Sequence, residues 1–103
     1  MPSKFNLVIA IVEQGFVDQV MEVARNAGAT GGTLIQARGV GRENAETFLG
    51  PALQSEKEIV LLLAPRQIHS DIMNGLNQHC GLLTDAKGIV FSLPVENIAG
   101  IGV

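Results

Sequence analysis

Apolar residues recur along this chain with two periods, and the switches between them mark the elements. Phe5 to Val12 is apolar and β-branched, bounded by Asn6 and Glu13, which predicts a strand. Phe16, Val17, Val20, Met21, Val23, Ala24 and Ala27 follow at spacings of three and four, with Asp18, Gln19, Glu22 and Arg25 between them. That is an amphipathic helix, and Gly28 stands where a left-handed residue would cap it. Thr33 to Arg38 reads as a second strand and Glu58 to Ala64 as a third. Pro65 suits the first turn of a helix, where its missing donor costs nothing. Ile68, Ile72, Met73, Leu76 and Cys80 then form a helical stripe closed by Gly81, and Ile89 to Val95 is a fourth strand. Gly28, Gly31 and Gly32 are read as a turn before the second strand.

The resulting βαββαβ order predicts an α+β, ferredoxin-like sandwich: a four-stranded antiparallel sheet with both helices on one face, and the first and third strands at its centre. Both central strands are apolar on both faces. Leu7, Ile9 and Ile11 alternate with Val8, Ala10 and Val12, and Ile59, Leu61 and Leu63 with Val60, Leu62 and Ala64. A sheet wet on one side should alternate with polar residues instead. Two helices cover one face, so the other, taken here to carry Val8, Val12, Val60 and Leu62, needs a second cover. Another copy of the chain supplies it most simply; the tail Ile98 to Val103, with two glycines in six residues, covers too little.

Composition narrows the functional classes. The 103 residues suit one domain, 1–103, and 47% of them are hydrophobic, too many for a disordered chain. A net charge of −3 argues against nucleic acid or an anionic membrane surface as partner. The single Cys80 excludes an intrachain disulfide, as expected of a reducing, cytoplasmic protein. The longest apolar runs, Leu7 to Val12 and Ile59 to Ala64, hold six residues each, far short of the roughly 20 needed to span a bilayer. The first residues also lack the pattern of a signal peptide.

Chemistry concentrates in two loops. Gly39-Val40-Gly41-Arg42 after the second strand can bring backbone donors and a counter-charge to a phosphate, or simply open a flexible loop; it is not a dinucleotide fingerprint, since no helix follows and the third glycine is missing. Gly81-Leu82-Leu83-Thr84-Asp85-Ala86-Lys87-Gly88 can hold an anion through Lys87, assisted by Thr84, or be an ordinary turn with Asp85 bonding its own backbone. His69 and His79 lie three helical turns apart and cannot share a metal within one chain, so no metal site is expected. The serines lack an elbow motif, and the carboxylate pairs Glu43/Glu46 and Glu56/Glu58 read as solvated loop residues, so no enzyme is expected. Gly39 to Glu58 is a long stretch poor in periodicity, of the kind that is functional or mobile when it occurs in a compact domain. Within it the apolar island around Phe48, Leu49 and Leu53 is a candidate docking tip for a partner protein, or folds back onto the domain or a neighbouring subunit.

Together these features resemble the PII family of nitrogen-regulatory signal proteins. The resemblance runs from Phe5 to about Ile98 and rests on the element order, Gly31-Gly32-Thr33-Leu34 at the start of the second strand, Arg38-Gly39-Val40-Gly41-Arg42 before the long loop, and Gly81, Asp85, Ala86 and Lys87 before the fourth strand. It implies a compact homotrimer, no catalysis, an adenine nucleotide (ATP, ADP or AMP) as effector in the clefts between subunits, and signalling to a target protein through the 41–57 loop. Carried over position by position, it implies a ligand site of Arg38, Gly39, Gly41, Arg42, Gly81, Thr84, Asp85 and Lys87. The family pattern has a second lysine where Leu82 stands, and glycines at Thr84 and Ala86, so fewer cations and less open backbone are expected to face a phosphate chain. The chain has no tyrosine, so control by tyrosine uridylylation is excluded. Two alternatives share the architecture: a metal-linked trimer like the copper-tolerance relatives, and a structural PII-like module that has lost its ligand.

Overall fold

The computed structural model describes residues 4–40 and 54–100. Six elements follow in the expected order: β1 (Phe5–Glu13), α1 (Val17–Asn26), β2 (Thr33–Val40), β3 (Gln54–Pro65), α2 (Arg66–Cys80) and β4 (Ile89–Val95). The strands form one sheet in the order β2-β3-β1-β4, every neighbouring pair antiparallel. This is the ferredoxin-like arrangement, with β1 and β3 at the centre. β3 begins four residues before the stretch read as strand from its apolar run, because Gln54 to Lys57 pair with Ala37 to Val40 of β2. Polar side chains do not end a strand whose backbone has a partner.

α1 stops where the sequence indicates. Gly28 takes φ +113°, and the amides of Gly28 and Ala29 donate to the carbonyls of Arg25 (2.9 Å) and Ala24 (3.0 Å). These two bonds satisfy carbonyls that the helix end would otherwise orphan. Gly31 and Gly32 form no turn of their own but lead directly into β2. Pro65 lies just outside α2, as its N-cap rather than in its first turn.

The core lies between the helices and one face of the sheet. Val8, Ala10 and Val12 of β1 and Val60, Leu62 and Ala64 of β3 meet Val20 and Ala24 of α1 and Ile72, Leu76 and Cys80 of α2, all at most 1% exposed. The two faces are therefore the reverse of the expectation: Val8, Val12, Val60 and Leu62 face the helices. The uncovered face carries Leu7, Ile9, Ile11, Ile59, Leu61 and Leu63, extended by Ile35 of β2 and by Ile89, Phe91 and Leu93 of β4 through direct cross-strand pairing. The physical reason is that side chains alternate with period two, so when both sets are apolar, hydropathy alone does not tell the faces apart. Size and β4 decide it. The helices pack on the smaller set, three valines, two alanines and Leu62, and Ser92 of β4 turns inward to hydrogen-bond His69 of α2 (Nε2–Oγ 2.7 Å).

Candidate ligand site

The loop from α2 to β4 is tied together by its own backbone. Gly88 N–H donates to the Cys80 carbonyl (2.7 Å), Lys87 N–H to that of Thr84 (3.0 Å), and both the Thr84 amide (3.0 Å) and hydroxyl (2.7 Å) to that of Gly81. A side chain at Gly88 would collide with the Cys80 carbonyl, so that position needs glycine. Thr84 thus spends its hydroxyl proton inside the loop. Ala86 is buried to 1% exposure, and its carbonyl accepts from Glu13 N–H (2.9 Å), docking the loop on the end of β1. The Ala86 methyl therefore points into the core and does not narrow the loop's outer surface, contrary to the expectation from its glycine-replacing position. Lys87 holds the left-handed φ of +48°, unusual for a non-glycine residue, and is exposed together with Asp85.

The same end of the sheet holds the ends of β2 and β3. Arg38 of β2 pairs with Glu56 of β3 (Nη2–Oε2 3.2 Å) at an exposed position. Lys57 pairs with Glu13 across β3 and β1 (Nζ–Oε2 2.6 Å). Glu58 is not the solvated loop carboxylate expected from its neighbour Glu56: it lies in β3, buried to 9% exposure, and accepts the Gly15 amide at 2.9 Å. β2, paired with β3, and the α2–β4 loop, docked on β1, thus bring Arg38, Gly39, Gly81, Thr84, Asp85 and Lys87 to one end of the sheet. Lys87 is the cation there without an ion-pair partner among the described residues. Gly41, Arg42, Phe48, Leu49 and Leu53 lie outside the described residues.

A second feature was missed in the sequence. On the uncovered face, at the opposite end of the sheet, Phe5, Leu7, Leu61, Leu63 and Pro65 line a groove of about 640 Å³ with Thr30, Gly31, Gly32 and Thr33. Gly31 and Gly32, read as a turn, instead form a bare rim beside apolar side chains. The available signal was two glycines and a threonine running into an edge strand opposite the outward leucines of β3. Leu7 on its wall is about 20 Å from Glu13, six residue steps at about 3.4 Å.

His69 is engaged by Ser92, burial pushes the Cys80 thiol above its ordinary value, and among the described residues no three His, Cys, Asp or Glu side chains cluster. No described helix is long and apolar enough to cross a membrane.

The arrangement defines a ferredoxin-like α+β protein with an apolar sheet face that no described element covers and charged side chains gathered at one end. The chain belongs to the nitrogen regulatory protein P-II family, whose pattern it matches over residues 5–102. Its fold is similar to that of Arabidopsis thaliana PII bound to citrate, with a TM-score of 0.73, 21% identity, and coverage of 96% of this chain and 82% of that one. It is also similar to PII-like CPII of Thiomonas intermedia, bound to ADP, AMP and bicarbonate (TM-score 0.70, 14% identity, 94% and 96% covered). A third, the Bacillus subtilis GlnK–ATP complex, matches at a TM-score of 0.70 and 11% identity, with 92% and 84% covered. A comparison of the sequence with curated proteins finds no match.

Proposed function

We propose that this chain is a homotrimeric regulatory signal protein that binds an adenine nucleotide between subunits and reports it to a partner protein through the 41–57 loop. The observation that carries the reading is the uncovered face. Ile35, Leu63, Ile89, Phe91 and Leu93 are 42–56% exposed there, side by side with the partly buried Leu7, Ile9, Ile11, Ile59 and Leu61. Completing their burial contributes roughly 1 kcal/mol for each, about half the value for a whole side chain, which favours a stable oligomer over an isolated subunit. Such a patch is far more apolar than a free monomer's surface tolerates.

Oligomerisation also solves the geometry of the ligand. The groove offers apolar walls, two threonines and glycine backbone to a flat base, while Lys87 offers charge at the other end of the same sheet. A mononucleotide does not bridge about 20 Å, so the two features serve one ligand only when the groove of one subunit meets the charged end of another. The related structures that hold ATP, or ADP and AMP, support this class of ligand. Light scattering at micromolar concentration is expected to give three times the 10.9 kDa subunit mass, and a monomer would remove the shared pocket. Thermal shift with ATP, ADP and AMP is expected to raise the melting point for at least one of them by mass action, and no shift by any would remove the nucleotide.

A further inference from the structure

The charged end of the sheet carries more negative than positive charge. Glu13, Glu56, Glu58 and Asp85 stand there against Arg38, Lys57 and Lys87, and two of those three cations are already paired with carboxylates. Resting on the nucleotide reading above, we propose that this end selects against phosphate charge, so that the site prefers a nucleoside monophosphate to a triphosphate, and that Glu56 sets the preference by occupying Arg38.

The argument is electrostatic. Each phosphate beyond the first adds negative charge, and a favourable increment needs a cation with no competing carboxylate. Arg38 is the cation whose geometry suits phosphate, planar and able to donate in pairs, but its Nη2 lies 3.2 Å from Glu56 Oε2. Lys57, held at 2.6 Å by Glu13 and only 22% exposed at its side chain, is less accessible still. Lys87 balances one charge. A triphosphate would therefore approach cations already held by carboxylates, with Asp85 beside them lacking an ion-pair partner among the described residues, whereas a monophosphate can use Lys87 without entering that field.

Isothermal titration with AMP, ADP and ATP, without added metal and at low salt, reads the order directly. AMP is expected to bind at least as tightly as ATP, and raising the salt should narrow any gap between them. Glu56→Gln leaves the strand intact at an exposed position and releases Arg38. It should tighten ATP about fivefold and AMP about twofold or less, as expected for about 1 kcal/mol of extra attraction on the more highly charged ligand. In an Arg38→Ala background the same substitution should lose its preference for ATP, which separates release of Arg38 from mere removal of a negative charge. ATP binding more tightly than AMP to the unaltered chain would overturn the proposal while leaving the nucleotide reading intact. An equal effect of Glu56→Gln on all three would remove Glu56 from the selection. Binding of none would overturn both.

Discussion

Leu62 and Leu63 are neighbours in β3 with opposite fates, and substituting each tests which face of the sheet is core and which is interface. Leu62 is fully buried under the helices, whereas Leu63 is 42% exposed, with Leu7 directly across from it and Leu93 beyond Leu7. Leu62→Ala removes three side-chain carbons from a fully buried site, at a cost of about 2–5 kcal/mol. For a domain near 100 residues each kcal/mol is worth about 4–8 °C, so melting should fall by roughly 8–40 °C. Leu63→Asp costs an isolated subunit little, because the position is already half wet. In the proposed oligomer it places a carboxylate in a dry apolar contact, at several kcal/mol per ion, and forfeits roughly another 1 kcal/mol of leucine burial. About 4 kcal/mol per subunit is nearly a thousandfold in the association constant for each contact. Light scattering and far-UV circular dichroism, read on the same samples, separate the effects. Leu62→Ala should keep the oligomer mass and lose thermal stability. Leu63→Asp should become a folded monomer whose melting no longer depends on protein concentration. An unchanged mass for Leu63→Asp would refute the assignment of that face to subunit contact.

Other outcomes follow from single sites. Lys87→Ala should weaken nucleotide binding by about 1–3 kcal/mol in titration calorimetry if its ammonium meets phosphate, with little change in the melting point of the unliganded protein. Gly28→Ala forces a Cβ into φ +113° and against Ile68 Cγ2 at 3.3 Å, so urea unfolding should show a loss of about 1 kcal/mol or more. Ser92→Ala leaves the His69 ring without its partner and should cost about 1 kcal/mol by the same assay. Burial raises the Cys80 thiol above its ordinary value of 9.0, so alkylation by iodoacetamide at pH 8 should be slow until the chain unfolds; fast reaction of the folded protein would contradict the burial. Because the unfolded thiol releases its proton first, this contribution to stability is whole below pH 9.0 and declines above it, and Cys80→Ala should flatten that alkaline slope.

The element order was legible because each segment carries its own punctuation. The helical stripe of Val17 to Ala27 ends at a glycine that takes the left-handed conformation, and the apolar runs of β1 and β3 could only be central strands. The extension of β3 back to Gln54 was not legible, since it depends on backbone pairing with Ala37 to Val40 and not on any side-chain period. The inversion of the sheet faces has a different origin. Both candidate faces were apolar, and the deciding facts were that Ala10 and Ala64 share the buried core with residues of both helices and that His69 reaches Ser92, a contact between residues 23 apart that leaves no trace in local hydropathy.

The site divides along the same line. Its charged loop was legible from residue type: Gly81, Gly88 and Lys87 announce a tight turn with one cation. The pairing of Arg38 with Glu56 and of Lys57 with Glu13 was not, because both are cross-strand partnerships fixed by register. Shifting the register of β3 against β2 by one residue would move Glu56 to the other face from Arg38 and leave that guanidinium open to an anion. The proposed preference for ligand charge is therefore a property of strand alignment as much as of composition. The count of seven basic residues in the sequence overstates what a phosphate would meet, since the sheet neutralises two of them before any ligand arrives.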